Sequence, residues 1–78
     1  MNTVKPLISD ETLMETIKDI LAPGKSHSPT ALLRVCRYYY PDRTISRDQF
    51  DELLDWMVEE QIVSRRPYGN GKKVSLLR

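Results

Sequence analysis

The chain has 78 residues, 40% hydrophobic and 29% charged, with a net charge of +1. That length holds one domain with a small core, and the composition excludes a disordered chain. The near-neutral balance excludes a global field drawing the molecule to nucleic acid or membrane, so any such attraction must come from local patches.

Met1 to Leu7 reads as an arm, with Pro6 discouraging helix before it. Residues 1–8 are expected to be flexible, with Leu7 or Ile8 tucked against a domain spanning 9–78. Nowhere does the N-terminus carry the apolar run of a signal peptide or membrane span, and a cytoplasmic location is expected. Ser9 is placed to cap a first helix, with Asp10 and Glu11 in the first turn, where the helix dipole favours anions. Leu13, Ile17, Ile20 and Leu21 mark its inner face with Met14 beside them, and Pro23-Gly24 ends it.

Gly24 to His27 reads as a connector. His27 is the sole histidine and lacks companions at ligand spacing, so no metal or cofactor is expected. Ser28-Pro29 is a second cap followed by proline at the first helical position. Ala31, Leu32, Val35, Cys36 and Tyr39 share one face of this helix, and Arg34, Arg37 and Tyr38 lie nearer the other. One ring of Tyr38-Tyr39-Tyr40 is expected in the core and the others on its rim, before Pro41 stops the helix. Cys36 is the only cysteine; it reads as a small buried hydrophobe and excludes an internal disulfide.

The third helix, Ser46 to about Gln61, has the strongest start signal in the chain. Ser46 and Gln49 match a capping box, and Ile45 and Phe50 a hydrophobic staple. Phe50, Leu53, Leu54, Met57 and Val58 form the apolar stripe, with Trp56 at its edge. Asp48, Asp51, Glu52, Asp55, Glu59 and Glu60 cover the other side. A ribbon follows, Ile62–Arg66 and Lys73–Leu77, reversing through Pro67-Tyr68-Gly69-Asn70-Gly71. It carries Arg65, Arg66, Lys72, Lys73 and Arg78, and no acid occurs after Glu60.

This order of elements resembles a winged helix-turn-helix domain from Ser9 to Leu77. The segment Leu53 to Arg66 looks like the end of that family's third helix entering the first wing strand at Ile62-Val63, and Gly69 to Leu76 looks like the wing tip and returning strand. The resemblance implies an α+β fold: a three-helix winged helix-turn-helix with a C-terminal β-hairpin wing. Two departures stand out: Gln61 occupies a position where the family often has glycine, and the Pro41–Ile45 link is longer than the tightest helix-turn-helix turn.

The resemblance implies a small DNA-binding regulator or accessory factor on duplex DNA. Arg43 and Arg47 would clamp phosphate at the third helix N-terminus, Arg65, Arg66, Lys72 and Lys73 would be wing contacts, and Tyr68 would stack or wedge at the tip. No effector domain is expected, so control is expected from a partner, dimerisation or abundance. Against DNA stands the helix that would enter the groove, because Asp48, Asp51, Glu52 and Asp55 would repel phosphate. The alternative is a protein-interaction module, with Asp48, Asp51, Glu52, Asp55 and Glu59 meeting a basic partner or the wing of a second copy. No nucleophile–base pair, metal cluster or phosphate loop is legible, so neither enzyme activity nor a small-molecule substrate is expected.

Overall fold

The computed structural model describes residues 5–22 and 24–77. Met1–Val4, Pro23 and Arg78 lie outside the described residues. The fold is α+β, with elements in the order α1 (Asp10–Ile20), β1 (Ser26–His27), α2 (Pro29–Tyr39), α3 (Arg47–Glu59), β2 (Val63–Tyr68) and β3 (Gly71–Leu76).

Each helix starts where a serine hydroxyl replaces a missing backbone partner. Ser9, Ser28 and Ser46 accept from the N–H of Thr12, Ala31 and Gln49 at 3.2, 3.2 and 3.0 Å. Each cap contributes about 1 kcal/mol. The Gln49 side chain departs from the expected capping box. Its Nε2 donates to the Ile8 carbonyl at 2.7 Å and to Asp10 Oδ1 at 3.0 Å, which ties the start of α3 to the start of α1. These acceptors lie within reach because the arm is fixed beside the α2–α3 link. Ile8 N–H donates to Thr44 O, Thr44 N–H to Pro6 O and Thr44 Oγ1 to Lys5 O. Ile8 is buried in the core, so the described part of the arm is anchored.

The helices close over one core containing Leu13, Ile17, Leu32, Cys36, Phe50, Leu54 and Met57, with Val63 and Val74 supplied by the sheet. On α2 the buried positions are Leu32, Leu33 and Cys36. Leu33 replaces Tyr39 in the expected inner face: Tyr39 is 56% exposed. The chain leaves the helix at Tyr40 (φ −127°), whose side chain lies partly buried against the core.

Helix α3 ends at Glu59, short of the expected Gln61, in a Schellman arrangement. Ile62 N–H donates to Met57 O at 2.9 Å and Gln61 N–H to Val58 O at 3.1 Å. Gln61 sits in the left-handed region at φ 59°, where a Cβ is unfavourable. The glycine expected there is absent, but the geometry that favours it is kept. Gln61→Gly should therefore stabilise the fold by about 0.5–1 kcal/mol, after the added freedom of glycine in the unfolded chain is subtracted. A urea melt checks this, and a lowered midpoint would contradict it.

The sheet is antiparallel, in the order β1-β3-β2. The hairpin is longer than the sequence indicates: Tyr68 pairs with Gly71, leaving only Gly69 and Asn70 in the turn. Gly69 takes φ 60° while Asn70 does not, which suits a two-residue turn with glycine first. Pro67 thus falls inside a strand rather than the turn, which is tolerated because β2 is an edge strand. The connector supplies a third strand, with Ser26 opposite Ser75 and His27 opposite Val74.

Candidate functional site

Strand alternation sorts the hairpin's charges. Residues directly opposite share a face, so Val63/Leu76, Arg65/Val74 and Pro67/Lys72 lie on the side containing the buried Val63 and Val74. Ser64/Ser75, Arg66/Lys73 and Tyr68/Gly71 lie on the outer side. The wing cations expected to act together are therefore split. Arg65 and Lys72 share the α3 side, and Arg66 and Lys73 point away from it.

On the α3 side, cations meet acids. Arg65 Nη1 donates to Asp55 Oδ1 at 2.7 Å, and Arg47 Nε bonds Asp51 at 3.1 Å one helical turn on. Arg47, Asp51, Asp55, Arg65 and Lys72 line one shallow hollow. The expected separation of the acidic helix from the basic hairpin is thus bridged at one point, Arg65–Asp55, and the Arg47–Asp51 pair lies within α3. Such exposed pairs contribute little stability, about 0–1 kcal/mol each, but they occupy the Arg47 and Arg65 guanidinium groups. Asp48, Glu52 and Glu59 remain exposed on that helix with no cation within ion-pair distance among the described residues.

Arg43 is not brought to this hollow. It lies beside Asp42, 3.9 Å away, in a different depression with Tyr39, Tyr40 and the arm. Arg37, expected on the side of α2 away from its apolar face, donates through Nε and Nη2 to the Ile45 carbonyl at 3.1 and 3.0 Å. It clamps α2 to the link before α3, a role that periodicity alone does not reveal.

The outer hairpin face is polar and basic. Lys73 Nζ lies 4.4 Å above the Tyr68 ring, a cation–π contact between diagonal neighbours. Arg66 sits directly opposite Lys73, and this like-charge pair has no carboxylate within ion-pair distance among the described residues. Ser64 and Ser75 hydroxyls meet at 3.0 Å below them.

A second feature on α3 is absent from the sequence reading. Trp56, expected at the core edge, is 45% exposed. With Met14 and Leu53 it lines a hollow of about 630 Å³ between α1 and α3, bordered by Asp10, Glu11 and Glu52. Gln49 also lines this hollow; its Oε1 is buried without a partner, so the two bonds of Nε2 set the amide's orientation. Both Met14 and Trp56 are legible as flank positions, but nothing in a single sequence says that these two flanks face each other.

Burial raises the Cys36 thiol to about 12, and no other part of its environment is needed to explain the shift. The unfolded thiol ionises near 8.5. Between those values the unfolded state binds fewer protons than the folded state, so this group lowers stability as pH rises through that window. At pH 8 the native thiol should react with a disulfide reagent only through opening of the fold, roughly 100-fold or more slower than in urea. Equal rates in the two conditions would place Cys36 at the surface. Among the described residues no three histidine, cysteine, aspartate or glutamate side chains converge as metal ligands, and no helix is long and apolar enough to cross a membrane. No family model matches the chain, and comparisons with curated proteins and with solved structures return no match.

Proposed function

We propose that this chain is a winged-helix-like docking module that presents the outer face of α3 to a basic protein partner. The observation that carries this reading is the charge of that helix: five carboxylates against one guanidinium, with Arg47 already paired to Asp51. In a duplex groove the same face would meet phosphate with unpaired acid, and each carboxylate would oppose the counterion release that drives association. Against a basic protein surface it steers encounter and fixes orientation. The helix order and terminal hairpin support the winged-helix likeness, and the Arg65–Asp55 pair links the acidic helix to the wing.

The hairpin supports a second reading. Arg66 and Lys73 stand on its outer face beside Tyr68, away from the acids of α3. A duplex could be touched there by the wing alone, as an accessory contact rather than as groove recognition. Binding of a fluorescein-labelled arginine-rich peptide and of a labelled DNA duplex, each across a salt series, separates the two readings. The docking reading expects salt-sensitive peptide binding and weak DNA binding that falls further when Arg66 and Lys73 become alanine. Tight duplex binding at 150 mM salt with no peptide binding would reverse the assignment.

A further inference from the structure

We propose that the groove between α1 and α3 is the anchor of that docking surface and receives an arginine side chain of the partner, laid on the Trp56 indole. The inference rests on the docking reading and adds a specific pocket to it.

The groove combines features that a solvated helix flank does not need. Its floor is apolar, formed by Met14, Leu53 and Trp56, and Trp56 leaves nearly half its surface in solvent. Its charged lining is acidic, Asp10 and Glu11 from the first turn of α1 and Glu52 from α3, with the Gln49 amide beside them. Among the described residues no lysine, arginine or histidine lines it. The Asp10 carboxylate is held in place, because Gln49 Nε2 donates to its Oδ1 at 3.0 Å. A purely apolar helix would bury these carboxylates without partners, and an anionic lipid would be repelled by them. A cation with a flat, weakly hydrated face suits both the floor and the border: it can lie on the indole while its edge donates to carboxylates. Guanidinium has that shape, and a lysine ammonium offers only a point charge. The groove exceeds one side chain in volume, so a neighbouring apolar residue of the partner would cover Met14 and Leu53. Glu52 belongs both to this border and to the acidic face, which makes the pocket and the face one continuous surface.

Trp56 is the only tryptophan, so its emission reports occupancy directly. The probe is a short blocked peptide with one arginine flanked by leucines, labelled for anisotropy, beside a twin in which citrulline replaces the arginine. The arginine peptide should shift Trp56 emission saturably and bind about tenfold more tightly than its twin. Trp56→Leu should weaken it about fivefold, and Asp10→Asn with Glu11→Gln by a similar factor. Circular dichroism of each variant confirms folding, since these side chains lie outside the core. Binding that is salt-sensitive yet unchanged by Trp56→Leu and by the α1 substitutions overturns the groove and leaves the docking face standing. Binding that needs Trp56 but ignores neutralisation of Asp48, Asp55 and Glu59 keeps the groove and removes the wider face. No binding by the arginine peptide overturns both. If sedimentation instead detects a salt-sensitive dimer lost in Trp56→Leu, the occupant is a second copy's hairpin and the assignment to a separate partner is wrong.

Discussion

Phe50→Ala should cost about 3–5 kcal/mol of stability. Phe50 is fully buried and belongs to the one core that unites the three helices with β2 and β3. It is also the inner half of the hydrophobic staple with Ile45, which is buried too, so its loss loosens the start of α3 as well as the centre of the fold. A domain of this size has roughly 4–12 kcal/mol in total. A large share of the margin would therefore go, and the urea midpoint should fall clearly below the parent's. Urea denaturation followed by circular dichroism measures the loss. A midpoint close to the parent's would mean that the ring is not enclosed as described.

Neutralising the outer face of α3 should have the largest effect on binding. Asp48→Asn, Glu52→Gln, Asp55→Asn and Glu59→Gln together remove four exposed carboxylates without touching the stripe beneath. At roughly 0.3–0.5 kcal/mol for each exposed pair formed with a partner, affinity for an arginine-rich peptide should fall about tenfold at low salt. The salt dependence should flatten in the same experiment. Duplex affinity should rise, because the repulsion is gone and Arg65 is released from Asp55. Unchanged peptide affinity in this variant would show that the acids are only a solvated face.

The parts of the fold legible in the sequence are those set by short-range chemistry. Serine caps at Ser9, Ser28 and Ser46, the proline at Pro29, and the stripe from Phe50 to Met57 each act within one or two helical turns, and each lies where that chemistry places it. What was not legible depends on partners distant in sequence. Ser26-His27 has no strand signature of its own; it is a strand because β3 offers it a free edge. Gln49 leaves its local cap because the arm brings Ile8 O and Asp10 within reach. Gln61 adopts a glycine-like conformation because two carbonyls at the end of α3 need donors. For the candidate site, the acidic helix and basic ribbon were readable as composition. Their connection was not: a two-residue turn fixes the register, the register puts Arg65 on the α3 side and Arg66 on the other, and only then does Asp55 acquire a partner. The groove under Trp56 depends on how α1 crosses α3, which no single-chain periodicity encodes.

The most direct test is a backbone amide spectrum of ¹⁵N-labelled protein titrated in parallel, at low salt, with the arginine peptide and with a DNA duplex. The docking account predicts that the peptide moves amides along α3 from Asp48 to Glu59 and around Asp10, while the duplex leaves those amides in place and disturbs at most the hairpin around Arg66 and Lys73. Duplex-induced shifts at Arg47 to Glu52, with the peptide silent there, would contradict it and return α3 to the role of a groove-reading helix.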